Sequence, residues 1–274
     1  MPGAAPRFDS QAREFDRRAG VGEEAGRVVA RSVLTAASAG PGDVLLEIGV
    51  GTGEIGRYLA RSVRYIGMDT SRGMLDVFRA RVSSGPGSRR VTLVQADAEH
   101  FWPVRDRSAT VVLASRVVHL LDPAHVMTEV RRVCLDGGFF LVGRVQREPG
   151  SPKSRLRRRR EELLRDRGFV PGSGWRQTQR LLDALTTPGA LRLGSHEVAR
   201  WPAHASAEAV LGSWKAMTTV GGVEVPAPIR SAVLVDLRTW AGRELGDLDE
   251  VVEFEERYTL DGVRLGGDDP SPDT

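Results

Sequence analysis

The residues best suited to chemistry in this chain lie in one short string, Glu47-Ile48-Gly49-Val50-Gly51-Thr52-Gly53, with Asp69 following twenty residues after Gly49. Glycines lack a Cβ, so a chain rich in them turns tightly and presses its backbone against a ligand. An acid at the end of the next strand accepts both hydroxyls of a ribose, and the pair implies a nucleoside. Gly51, Gly53 and Gly56 also spell G-x-G-x-x-G, the dinucleotide fingerprint, so an oxidoreductase using a nicotinamide dinucleotide is one reading. Glu47 argues against it. An acid two residues before the first glycine repels a pyrophosphate at a helix N-terminus and suits a ligand that carries positive charge.

The elements that must position these residues follow from hydrophobic patterning. Residues 43–48 (DVLLEI) form an apolar run without polar alternation, as a strand buried on both faces requires. Glycines follow, then a helix over 53–62 and a second strand over 64–68 ending at Asp69. The alternation continues with a helix over 71–82, strands over 91–95 and 109–114, a helix over 123–134 and a strand over 137–144. This predicts an α/β fold, a doubly wound, mostly parallel, seven-stranded Rossmann-like sheet, with a helical cap over its C-terminal rim. The expected division is 1–40 as N-terminal helices of the cap and 41–148 as the binding core. Residues 149–192 and 202–248 are expected as helical cap insertions, 193–201 and 249–262 as late strands completing the sheet, and 263–274 as a disordered tail.

S-adenosylmethionine carries an α-ammonium and a sulfonium, and a carboxylate at Glu47 attracts its amino-acid moiety. At this point the sequence resembles the class I S-adenosylmethionine-dependent methyltransferases, in the subset that acts on small molecules and quinones. The resemblance runs from about residue 43 to 144. LLEIGVGTG is similar to the first motif of that family and YIGMDTSRGML to its second, which implies Asp69 and Thr70 at the ribose and Met74 near the adenine. VQADAEH is similar to the third, implying Asp97 at the adenine amino group and Ala98 offering its backbone amide. The stretch beginning LASRVVHLLDP resembles the passage from the fourth strand into the fifth, and puts Ser115 and Arg116 near the cofactor. A protein of this family that binds the cofactor without transferring methyl, such as a regulatory or cyclase-like relative, is a further reading.

Methyl transfer displaces a thioether from a carbon already activated by its sulfonium, so positioning and desolvation supply much of the catalysis. A protonated acceptor benefits from a base, and His119, just past the fourth strand, is the candidate. The helix SRLRRRREELLRDR reads either as a solvated face of i,i+4 pairs or as a source of cations for an anionic acceptor, with Arg155, Arg159 and Arg160 as candidates. Trp175 and Trp214 are candidates for the acceptor pocket, although tryptophans at such spacing are as well suited to core packing. The resemblance also implies that Phe15 and its neighbours fold over the cofactor as a leading helix.

Composition bounds these readings. The 274 residues are 41% hydrophobic and 27% charged, which suits a globular chain with a sizeable core. The net charge of +3 is uneven: residues 153–167 hold eight cations and three anions, a local +5, which leaves −2 for the rest. The basic excess is thus one helix rather than the stripes of a nucleic-acid binder. No Asn/Asp-Pro-Pro-aromatic motif follows the fourth strand, so a flipped base is not the expected acceptor. One cysteine and five scattered histidines give no metal-ligand spacing. The first residues have no apolar leader and no apolar run reaches about 18 residues, so a soluble, cytoplasmic protein is expected, acting on a small molecule.

Overall fold

The computed structural model describes residues 20–83, 90–215, 217–221 and 223–267. They fall into two compact units. The first comprises residues up to Arg144, Gln177–Ala199 and residues from Tyr258 on; the second comprises Val145–Arg176 and Arg200–Arg257.

The first unit opens with helix α1 (Glu23–Ala36), which buries Ala25, Val29, Ala30 and Val33 along one stripe. The expected leading helix extends back to residue 9, and that part, Phe15 included, lies outside the described residues. Then come β1 (Val44–Ile48), α2 (Gly56–Leu59), β2 (Arg64–Asp69), α3 (Arg72–Val82), β3 (Val91–Gln95), β4 (Ala109–Ser115), α4 (Pro123–Val133) and β5 (Cys134–Arg147). Local chemistry starts these helices: Ser71 accepts from the Met74 amide at 3.2 Å, and Asp122 caps α4 with Pro123 in its first turn. The helix expected over 53–62 is only one turn long, because Gly53 is left-handed at φ +77° and residues 51–55 form turns.

The sheet runs β3-β2-β1-β4-β5-β10-β6, where β6 is Leu191–Arg192 and β10 is Val252–Arg264; β7 (His196–Ala205) also pairs with β10. β2, β1, β4 and their neighbours β3 and β5 are parallel. Leu45, Leu46 and Ile48 are fully buried, as an apolar run between two neighbouring strands requires. Strand order reverses between β1 and β4, and the crevice at their carboxyl ends is where such sheets bind ligands.

Two details depart from the sequence reading. β6 makes an eighth strand by pairing antiparallel with the end of β10, Arg192 with Val263 and Leu191 with Arg264. Val263 is fully buried there, so Val263 and Arg264 belong to the sheet rather than to the expected tail; residues 268–274 lie outside the described residues. The helix α6 (Gly174–Leu185) was expected in the cap, yet Leu181, Leu182 and Leu185 join the core cluster of the sheet. These leucines form one apolar stripe, and its natural partner is the sheet face.

The second unit has its own core. Helices α5 (Pro152–Arg165), α7 (Ala207–Trp214) and α8 (Ala227–Glu244) bury Leu156, Val210, Leu211, Val233 and Leu237 together. A two-stranded ribbon, β8 (Thr219–Val220) with β9 (Val223–Glu224), completes it. No helix among the described residues is long and apolar enough to cross a membrane.

Leu182→Ala should lower stability by about 3 kcal/mol in urea unfolding, as a buried leucine truncation does. Faster amide exchange is expected in β4 and β5 and unchanged exchange in α8. Loss of protection in α8 instead would assign α6 to the other unit.

Candidate functional site

The carboxyl ends of β1, β2 and β4 enclose a cavity of about 270 Å³. Its floor is the glycine loop, which is fastened to β2. The Gly49 and Val50 amides both donate to the Met68 carbonyl, at 2.8 and 3.2 Å. The Asp69 carboxylate accepts from the Gly51 amide at 2.8 Å through one oxygen and from the Ser71 amide at 2.9 Å through the other. Gly49, Gly51 and Gly53 all take positive φ. A Cβ on Gly49 would lie 2.6 Å from Val117, and one on Gly53 would overlap the Phe78 ring.

Of the thirteen residues expected at the cofactor, twelve line this cavity: Glu47, Gly49, Val50, Gly51, Thr52, Asp69, Thr70, Met74, Asp97, Ala98, Ser115 and Arg116. Gly53 stands behind the loop instead, where its missing side chain lets α3 pack close. Asp97 turns its carboxylate to the Glu99 amide at 3.0 Å, an Asx turn that shapes the adenine end of the expected site.

Charge in the cavity is lopsided. Glu47, Glu54, Asp69, Asp97 and Glu99 line it against the single cation Arg116. Arg116, itself at φ +59°, is bound to Glu54 at 2.7 Å, and Glu54 also accepts from the Val21 amide at 2.9 Å. Glu47 is buried and receives the Tyr65 phenol at 2.6 Å. Loss of hydration raises its pKa to about 7, against the opposing pull of the Tyr65 hydrogen bond and of Arg116. The fold therefore holds at β1 a carboxylate that lacks a compensating cation of its own.

Glu54 and Tyr258 were not legible as site residues. Tyr258, on β10, is fully buried with its hydroxyl 2.6 Å from Ser115 Oγ, and burial holds that phenol well above the usual range. Room for it exists because residue 143 on β5 is glycine, whose Cβ would overlap the Tyr258 hydroxyl.

His119 does not line the cavity. The short 3-10 turn Val118–Leu120 buries Val118 and leaves His119 exposed, so the expected base is not among the lining residues. The acceptor candidates on the arginine helix and its surroundings lie in the second unit. Arg155 stacks 5.9 Å from the Trp240 ring, Arg159 pairs with Glu162 at 2.9 Å, and Arg160 lies 3.8 Å over Trp214. Trp175, in the first turn of α6, is half-buried.

The pH dependence of stability follows from Glu47. Its folded pKa, about 7, exceeds the unfolded 4.5, so its contribution is complete below the unfolded value and is lost as pH rises through the folded one. In the ligand-free protein this amounts to up to about 3 kcal/mol lost between about pH 5 and pH 8. Urea unfolding across that range should show a flatter profile for Glu47→Gln; an identical slope would mean that Glu47 is ionised throughout.

Residues 46–142 match the model of the Methyltransf_11 family, a methyltransferase domain. An uncharacterised 37.1 kDa protein in transposon TN4556 of Streptomyces fradiae is 33% identical over 125 residues, 44% of this chain and 35% of that protein. The ubiquinone/menaquinone biosynthesis C-methyltransferase UbiE of Geobacter sulfurreducens is 30% identical over 122 residues, 43% of this chain and 46% of that one. The matched stretch thus spans less than half the length of either relative. Among solved structures, the 4+2-cyclase SpnF superposes with a TM-score of 0.58 at 18% identity, over 97% of this chain and 99% of that chain, a likeness of fold. Strand order, glycine loop and family match agree at residues 46–142, where the chain is similar to a methyltransferase domain.

Proposed function

We propose that this chain transfers the methyl group of S-adenosylmethionine to a small-molecule acceptor. The observation that carries the reading is the charge of the cavity: five carboxylates and one guanidinium that is already bound to Glu54. A cationic ligand fits such a lining and a pyrophosphate does not. The literal G-x-G-x-x-G has no long helix behind it either, since α2 is a single turn.

The residues present fit the cofactor. The buried Glu47 carboxylate, its pKa raised to about 7, would be held ionised by an ammonium bound beside it. Asp69 accepts from the Gly51 and Ser71 amides and lines the cavity, where an acid at the end of the second strand would take ribose hydroxyls. Met74 and Ala98 supply apolar surface for a purine, and Asp97 and the Ala98 amide flank it.

The cofactor, when bound, supplies a methyl carbon activated by positive sulfur. An acceptor lone pair would displace S-adenosylhomocysteine from that carbon, and the acceptor's proton would pass to water. The chain's part is to orient the two reactants and exclude water. Glu47 and its neighbours favour the cationic reactant, and Ser115 in the lining is held by the buried Tyr258 hydroxyl. The class of acceptor is a small molecule, perhydroxylated quinone precursors and isoprenoid or other natural products being candidates. That reading draws on the relatives' names and on the lack of any basic stripe.

Calorimetric titration tests the cofactor. S-adenosylhomocysteine should bind in the micromolar range, and Asp69→Ala should weaken it by about 100-fold, the loss of two charge-assisted hydrogen bonds. NADH should not bind; binding of NADH alone would overturn the assignment. Because this fold also carries a cyclase, turnover is to be followed as release of S-adenosylhomocysteine across an acceptor panel. Once an acceptor is found, His119→Ala should keep kcat within about threefold, as a residue outside the cavity lining does. A hundredfold loss would restore His119 as the base.

A further inference from the structure

Among the described residues of the second unit, one buried guanidinium has no ion-pair partner. Arg160 lies on the face of α5 that carries Leu156, Leu163 and Leu164 into the core of that unit, and it is only 8% exposed. Its guanidinium carbon sits 3.8 Å from the Trp214 ring centroid. Nε is buried without a hydrogen-bond partner, and Nη1 reaches no more than Met217 Sδ at 4.0 Å. Among the described residues no carboxylate, carbonyl or hydroxyl accepts from it. Its neighbours are different. Arg159 is paired with Glu162, Arg167 with Asp236, and the adjacent acid Glu161 faces Arg157 and Arg165.

A cation taken out of water without an acceptor destabilises a fold, and an apolar side chain of similar volume packs there at less cost. The aromatic face offsets part of that cost. With one face of the guanidinium on Trp214, its edge is left, a planar fork of N–H donors that matches two oxygens of a carboxylate or phosphate. Burial also pulls the Arg160 pKa down to about 10, against the opposing pull of the Glu161 carboxylate.

We propose that the second unit binds an anionic ligand through Arg160, stacked on Trp214, with a carboxylate or phosphate group completing the hydrogen bonds of the guanidinium. The inference stands independently of methyl transfer, since none of these residues belongs to the cavity at the glycine loop.

Isothermal titration of the full chain with sodium pyrophosphate, inorganic phosphate and propionate tests it, with ionic strength held constant by KCl so that screening does not mimic binding. At least one of the three should bind in the millimolar range or tighter. Affinity should fall about tenfold in Arg160→Lys, which keeps the charge and loses the fork, and vanish in Arg160→Met. The Met variant should melt at or above the wild-type temperature, because it removes a buried charge that has no ion-pair partner. Which probe binds decides between phosphate and carboxylate. An equal response in Arg160→Met, or no binding of any probe to the wild type, overturns the proposal. Should the Met variant fail to fold, Arg160→Lys and Trp214→Phe carry the test: anion-dependent change in tryptophan emission should be weakened in the first and abolished in the second, and an unchanged response in both overturns it.

Discussion

One carboxylate holds the binding loop in place. Asp69 grips the Gly51 amide with one oxygen and the Ser71 amide with the other, so the first loop of the sheet and the start of the helix after the second strand share an anchor. An amide donating to a carboxylate is a strong hydrogen bond, and two of them fix the orientation of the acid as well as the loop. The same group that recognises a ligand therefore also organises the backbone that surrounds the ligand. The glycines make this possible: with φ positive at Gly49, Gly51 and Gly53, the loop folds back far enough for its amides to meet β2.

Electrostatics then divides the molecule. The glycine-loop cavity is acidic and its one arginine is committed to Glu54, while the basic excess of the chain resides in a helix of the second unit. The acids are not uniform. Asp69 is satisfied by amides, whereas Glu47 is paired with the neutral Tyr65 phenol in a desolvated position, an arrangement that favours a proton until a cation replaces it. A site built in this way discriminates by charge before it discriminates by shape.

The glycine loop, its strand and Asp69 were legible because they are local: an apolar run, a cluster of glycines and an acid at fixed separation need no tertiary information. Glu54 and Tyr258 were not. Glu54 sits in a turn where an acid is ordinary, and its partners Val21 and Arg116 are 33 and 62 positions away. The exposed position of His119 depends on which way a 3-10 turn rolls, and its spacing from β4 carries no signal for that. The arginine helix misleads in a different way. Its i,i+4 pairs suggest a solvated face, and Arg157 and Arg165 do pair with Glu161, but Arg160 falls on the leucine stripe and is carried inside. Helical periodicity would have marked it, since Leu156 and Leu163 stand four and three residues away on the same face.

Ser115 and Tyr258 are separated by 143 positions and meet only because Gly143 leaves a gap between them. The support of Ser115 at the end of β4 is thus incomplete until β10 has been made and has entered the sheet. During synthesis the glycine loop and Asp69 emerge early and can form their local bonds, while the phenol that supports Ser115 arrives far later. The contact is in this sense a late event in the life of the chain: an unfinished product has the glycine loop but not the phenol that steadies the strand end beside it.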